Sequence, residues 1–181
     1  MTKAVTTKQK LLQAARRQFW TRGYSNVSVR DITGEAGVDA ALVSRYFGSK
    51  QGLFEATLEA LPPWDALTAD PDRFLDLAVE TFSQPHDPDA DTDNAFTMLL
   101  TNILDPEMGE TMRNHFQDGI AAPLAAKVGG EKPEQHAAML LAVLFGAALM
   151  RKQFRLSGLA GVPTETLRAQ VLHLAQAALR F

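Results

Sequence analysis

The chain has 181 residues, of which 46% are hydrophobic and 22% charged, and it contains no cysteine. That hydrophobicity excludes a disordered chain, and the missing cysteines exclude disulfides, thiolate nucleophiles and cysteine-held metals. Taken whole, the formal net charge of −3 argues against a nucleic-acid partner. The charge is uneven, however. Residues 1–60 carry nine Lys and Arg against five Asp and Glu, a net of +4, while the rest of the chain sums to −7. A basic segment joined to an acidic body is the asymmetry expected when one part of a protein meets a polyanion. The apolar run Ala137 to Met150 falls short of the roughly 20 residues that cross a membrane. The polar, basic start Met1 to Lys10 predicts no secretory leader, so the expectation is a cytoplasmic protein with no membrane partner.

The elements predicted in chain order are all helices, with no alternating period-2 stretch to suggest strands. Leu11, Ala15 and Phe19, with Leu12 beside them, give a first amphipathic helix that stops at Gly23. Ser28 caps a second, with Asp31 in its first turn, Ile32 and Ala36 inward, and Gly37 at its end. Asp39 caps a short third helix through Leu42, Val43 and Phe47 to Gly48. Ser49 caps a fourth, with Leu53, Phe54 and Leu58 inward, closed by Leu61-Pro62-Pro63. Longer helices follow near Asp72–Ser83, Asn94–Leu104 and Glu107–Val128, the last interrupted near Gly119 or Pro123. Gly129-Gly130 precedes a long helix at Glu134–Leu156, and a turn at Ser157–Pro163 leads to a last helix at Thr164–Arg180. The predicted fold is all-α, with a small three-helix unit over residues 1–50 and a larger helical bundle over residues 51–181.

Two short helices joined through Gly37-Val38 form a helix-turn-helix pattern. On the second of them, Ala40, Ala41, Ser44 and Arg45 fall within an arc of about 140° at about 100° per residue. That arc holds no large apolar side chain. Small residues let the helix sink into a major groove, and a guanidinium can address guanine or a phosphate. Tyr46 sits beside the arc with a hydroxyl for a phosphate, and Lys50 adds a cation at the start of the fourth helix. Phe47 reads as a core residue.

The ordered set Leu12-x-x-Ala15-x-x-x-Phe19, Gly23-Tyr24, Val27-Ser28-Val29-Arg30-Asp31-Ile32, Glu35-Ala36-Gly37-Val38, Tyr46-Phe47 and Ser49-Lys50-x-x-Leu53-Phe54 resembles the DNA-binding domain of the TetR family of transcriptional regulators. The resemblance implies a homodimer reading two successive major grooves of a near-palindromic double-stranded operator. By motif position it implies Arg30, Ala40, Ala41, Ser44 and Arg45 on the base side, and Ser28, Thr33, Tyr46 and Lys50 on the phosphate backbone. Ser44 stands where the family commonly has Tyr, which shifts weight onto Arg45 and Tyr46. Gly34 stands mid-helix, at a cost of about 1 kcal/mol against Ala.

In the family the central region encloses an effector pocket. Here that region offers Phe74, Phe82, Phe96, Leu99, Ile103, Met112, His115 and Phe116, with Met98 and Met108 among them. Such a lining suits an apolar or amphipathic small molecule. The same Phe and Met spacing is also that of a plain core. For dimerisation, Ala138, Ala142 and Gly146 form a small-residue stripe with Leu141, Phe145 and Leu149 alongside. Leu167, Val171, Leu174 and Ala178 form a second stripe on the last helix.

Other chemistries fail on spacing. The acidic run from Asp87 to Asp93 lacks the Gly and Glu of a calcium loop in either frame. His86, His115, His136 and His173 have no close metal-ligand spacing, and no hydrolase or phosphate-loop motif occurs. Neither an enzyme nor a cofactor is expected. The reading is a ligand-released repressor, with control by a protein partner, or no effector at all, as the alternative.

Overall fold

The computed structural model describes residues 3–59, 74–85, 87 and 91–180, with side-chain surroundings for 6–59, 75–85, 87 and 95–180. All regular structure among the described residues is helical. The expected closure at Leu61-Pro62-Pro63 and the helix start at Asp72 lie outside them. The chain forms two compact units: Met1–Pro62 with Asp89–Arg113, and Pro63–Pro88 with Asn114–Phe181.

The N-terminal unit begins with α1 (Lys3–Arg22), whose i, i+4, i+8 repeat does what its spacing predicts: Leu11, Ala15 and Phe19 are fully buried. Gly23, at φ 82, turns the chain into a short 3₁₀ turn at Tyr24–Asn26. Then come α2 (Val29–Ala36), α3 (Ala41–Phe47) and α4 (Lys50–Leu58). Phe19, Tyr24 and Phe54 form an aromatic triad with ring centroids 5.3–5.5 Å apart. Ile32, Val43, Leu53 and Leu58 close the core around it. Trp20 Nε1 donates to Thr57 Oγ1 at 3.3 Å, and Thr57 donates onward to the Phe54 carbonyl, so the buried polar groups are paired.

α6 (Asp91–Asn102) also packs on α1 in this unit. The helix starts at Asp91, three residues before the Asn94 start expected from sequence. After it, α7 (Gly109–Phe116) begins. Met98, Met108 and Met112 are each at most 2% exposed and belong to the same core as Phe19. Residues 89–113 therefore pack with the helix-turn-helix, although they follow it by some 40 residues in sequence.

The C-terminal unit contains α5 (Phe74–Ser83), α8 (Ala122–Val128), α9 (Pro133–Ala148), α10 (Ser157–Ala160) and α11 (Thr164–Ala178). α9 packs against α5, α8 and α11, and α11 packs against α5. The interruption predicted near Gly119 or Pro123 is a π turn at Gln117–Ala121, not a break. Pro123 has no N–H for the ladder, and the preceding turn widens so that the Ala122 N–H reaches the Gln117 carbonyl. A second π turn, Leu149–Gln153, extends α9. The helix Pro133–Gln153 is thereby 21 residues, close to the expected Glu134–Leu156, and passes a test of length and composition for crossing a membrane that core helices also pass. Its inner face, Ala137, Leu140, Leu141, Leu144 and Ala148, is buried within the unit. At its end the buried Arg151 donates to the Val162 carbonyl (3.2 Å) and Thr164 Oγ1 (3.3 Å), fastening the turn before α11.

Candidate nucleic-acid interface

The helices of the helix-turn-helix are held by local chemistry. Ser28 caps α2 in a capping box: its Oγ accepts from the Asp31 N–H at 3.1 Å, while the Asp31 carboxylate accepts from the Ser28 N–H at 2.8 Å. The Ser28 hydroxyl, then its N–H, holds the Asp31 carboxyl below the usual carboxylate range. Gly37 takes the left-handed conformation (φ 64, ψ 41) that the tight turn requires. Asp39 Oδ1 accepts from the Ala41 N–H at 2.7 Å, and Ser49 Oγ accepts from the Gly52 N–H at 3.0 Å. Ser28 and Ser49 cap their helices as expected, whereas Ala40 takes the N-cap position of α3 without a side-chain cap and Asp39, one residue earlier, accepts from the first helical N–H.

Two further ties fix the helices against one another. Glu35 on α2 accepts from Gln18 (2.5 Å) and Arg17 (2.6 Å) on α1, which lowers its pKa. Arg17 thus leaves the pool of unpaired cations. On α4, the Cβ of any residue replacing Gly52 would stand 2.1 Å from the Phe47 carbonyl oxygen. The end of α3 lies directly on the glycine, so Gly52 fixes where the third helix ends. Sequence reasoning missed this position.

The expected contact residues divide clearly. Arg30, Ala40, Ala41, Ser44 and Arg45 are exposed, and Tyr46 and Lys50 are half-buried. Ser28 is exposed, but its hydroxyl is committed to the capping box. Thr33 is the correction: it is 5% exposed and its hydroxyl turns back to the Arg30 carbonyl at 3.4 Å. It sits beside Ile32 on the inner side of α2, where an outer solute does not reach it. Lys50 Nζ lies 3.9 Å from the centroid of the Tyr24 ring, and Lys8 Nζ lies 5.4 Å from that of Phe47. Burial, with Glu107, Asp105 and Glu55 adding to it, raises the Tyr24 pKa and keeps its phenol neutral.

The segment behind these helices carries a residue that the sequence reading passed over. Asn102 is fully buried. Its Oδ1 accepts from the Tyr24 N–H (2.8 Å), and its Nδ2 donates to the carbonyls of Phe19 (3.1 Å) and Met98 (2.9 Å). Asp105 accepts from the N–H and hydroxyl of Ser25 and from the N–H groups of Glu107 and Met108. Burial opposes this charge, yet the four donors outweigh it and the pKa is lowered.

The residues expected to line an effector pocket are drawn from both units. Leu99, Ile103 and Met112 pack into the core of the N-terminal unit, as does Met98. Phe96 is buried. In the C-terminal unit, Phe145 meets Phe82 (5.1 Å) and Phe116 (5.5 Å), and burial pushes the half-buried His115 down toward its neutral form, with Asp118 opposing. The Phe74 side chain lies outside the described residues, as do His86 and Asp89. No metal-binding cluster of His, Asp and Glu occurs among the described residues.

The expected dimer face also divides. Leu141, Leu167 and Val171 are buried inside the chain, because α9, α5 and α11 pack together along those positions. Ala138, Ala142 and Leu174 are exposed, as is Met139, while Phe145, Gly146, Leu149 and Ala178 are half-buried.

A profile described as bacterial regulatory proteins, tetR family, matches residues 11–57, and one described as tetracyclin repressor-like, C-terminal domain, matches residues 72–179. The second alone covers more than half of the chain. The chain belongs to the tetR family. TetR-family proteins are DNA-binding transcriptional regulators, not enzymes, and the helix-turn-helix is the element that binds DNA. The HTH-type transcriptional regulator BetI of Agrobacterium fabrum is 49% identical over 51 residues, 28% of this chain and 25% of BetI. BetI of Brucella abortus is 35% identical over 80 residues, 44% of this chain and 37% of that protein. The chain therefore matches only 25–37% of the length of these curated relatives.

Among solved structures, NalD of Pseudomonas aeruginosa, the secondary repressor of the MexAB-OprM multidrug efflux pump, superposes with a TM-score of 0.71 at 21% identity over 97% of each chain. A regulator from Saccharomonospora viridis, determined in complex with choline, gives 0.63 at 19% identity, covering 93% of this chain and 95% of its own. These two likenesses show the TetR-type fold alone.

Proposed function

We propose that this regulator is a cytoplasmic homodimeric repressor that binds a near-palindromic operator and is released by a small apolar or amphipathic ligand. The observation that carries the DNA-binding part is the outer face of α3. Ala40, Ala41, Ser44 and Arg45 are exposed together on a helix whose end is fixed by Gly52, and Arg45 makes no ion pair among the described residues. Arg45 reads a base edge, while Tyr46 and Lys50 take phosphates; Arg30, at the start of α2, reaches the flank of the same groove.

Dimerisation through α9 and α11 is supported by the exposed Ala138, Ala142 and Leu174, with Gly146 and Ala178 at the margin. Met139 on α9 and Leu174 on α11 are 51% and 54% exposed, apolar side chains that a second copy would cover. A two-fold dimer also matches two half-sites. Release follows by linkage: the ligand must bind the DNA-incompetent arrangement more tightly than the competent one. The aromatic contacts of Phe82, Phe116 and Phe145, with the neutral His115 nearby in sequence, support a mainly apolar ligand. Because a regulator of the same fold holds choline, quaternary ammonium compounds belong in the first ligand panel.

A second reading has its own support. Leu99, Ile103 and Met112 serve the core of the N-terminal unit, which favours control by a protein partner or no effector. Selection of bound fragments from genomic DNA, followed by titration of the selected duplex with and without the ligand panel, tests both. A ligand that raises the melting temperature and lowers operator affinity supports release. A selected operator that no ligand affects supports the second reading, and failure to select any fragment overturns the repressor assignment.

A further inference from the structure

The Lys50 ammonium, read above as a phosphate contact, does not hang free. It sits 3.9 Å from the centroid of the Tyr24 ring, and among the described residues it makes no ion pair. The ring is itself immobilised, 5% exposed, stacked on Phe19 and edge-on to Phe54. A lysine on a four-carbon stem carries large rotamer entropy, and a cation–π seat removes much of it before DNA arrives.

The Tyr24 ring is only as well placed as its backbone, which leaves α1 through Gly23 at φ 82. That turn is held from a segment far along the chain. Asn102 accepts from the Tyr24 N–H and donates to the carbonyl of Phe19, gripping the turn on both sides of Gly23. Asp105 grips the next residue through the N–H and hydroxyl of Ser25. Thr101 covers Gly23 so closely that a Cβ there would lie 3.3 Å from its methyl. A buried amide that satisfies three backbone groups at once specifies one geometry and tolerates little drift.

We infer that Asn102, acting through the Tyr24 ring, is a positioning residue for Lys50, so that residues 101–105 set one of the regulator's phosphate contacts. The inference rests on the reading of Lys50 as a phosphate contact. It assigns to a stretch within the C-terminal family match (72–179) an indirect part in DNA affinity. Asn102 touches no DNA; it fixes the backbone that carries the ring that carries the cation.

Counterion release tests this, because the slope of log affinity against log salt counts phosphate contacts, while a folded fraction that stays constant across the salt range shifts only the intercept. The full-length protein is titrated with a short mixed-sequence DNA duplex at several salt concentrations. Lys50→Gln is expected to reduce the slope by about 0.9 per subunit. Tyr24→Leu and Asn102→Ala are each expected to reduce it by the same amount, Tyr24→Phe to leave it unchanged, and Tyr24→Leu with Lys50→Gln to reduce it no further than either alone. Should Asn102→Ala not fold, the Tyr24→Phe and Tyr24→Leu pair decides. If Lys50→Gln lowers the slope while Tyr24→Leu and Asn102→Ala keep the wild-type value, Lys50 contacts DNA without positioning and the inference is wrong. If Lys50→Gln itself keeps the wild-type slope, the phosphate reading falls, and the inference with it.

Discussion

Gly52 offers the sharpest test of how the recognition helix is held. In Gly52→Ala the new Cβ would lie 2.1 Å from the Phe47 carbonyl oxygen and 3.3 Å from its carbon. A carbon and a carbonyl oxygen settle no closer than about 3.3 Å, so the end of α3 must withdraw by roughly 1 Å. The obstacle is backbone, which no rotamer change relieves. Overpacking of this kind costs about 3 kcal/mol at the upper end of its usual range. Alanine returns about 1 kcal/mol through helix propensity. The net is a destabilisation of about 2 kcal/mol, a fall in melting temperature of roughly 4–8 °C for a chain this size. Gly34, mid-way along α2, is the matched control, because a Cβ there meets nothing within 4 Å. Gly34→Ala should raise the melting temperature by up to about 4 °C through propensity alone. Circular dichroism melts of both variants check the pair, with operator affinity measured beside them. A Gly52→Ala protein as stable as the wild type, with its operator affinity intact, would refute the account of how α3 is held.

Arg45→Ala should cost about 1–3 kcal/mol of operator affinity and relax the preference at one base position, read from binding to a set of single-position operator variants. Leu174→Glu places a charge on the exposed face of α11 and should yield a folded monomer near 19.8 kDa by light scattering, where the wild type gives twice that mass. Asp105 has a lowered pKa in the folded chain, so its contribution to stability is complete above the unfolded carboxylate value and is lost as pH falls through the folded one. Melting temperature should therefore drop on acidification through that window, and less steeply in Asp105→Asn, which should start from a lower value at neutral pH.

The local chemistry of the helix-turn-helix was legible because caps and turns act within four residues: Ser28 with Asp31, Ser49 with Gly52, and Gly37 at its positive φ all follow from neighbours in sequence. The core positions of α1 to α4 were equally legible from their helical spacing. What sequence could not reveal was which surface each apolar stripe meets. Leu141, Leu167 and Val171 form stripes as regular as the exposed Ala138 and Ala142, and periodicity alone does not separate an internal contact from an intersubunit one. Met98 and Met112 have the spacing of a ligand lining and are core. Gly52 reads from propensity as a helix weakened for no reason, until the Phe47 carbonyl appears against it. Asn102 carried no sequence signal, since its three partners include residues about 80 positions earlier.

The grip of residues 101–105 on the Gly23 turn bears on how regulators of this kind can be cut and recombined. A fragment ending at residue 62 would retain every motif of the DNA-binding domain, yet lose the acceptor for the Tyr24 N–H and the donor for the Phe19 carbonyl. It would also uncover the apolar surface that Met98, Met108 and Met112 fill. A chimera that swaps sensing regions should therefore carry residues 89–113 along with the DNA-binding part and place its seams near 62, 88 and 113, where packing divides the molecule. In this chain the portable module is not a continuous stretch of sequence.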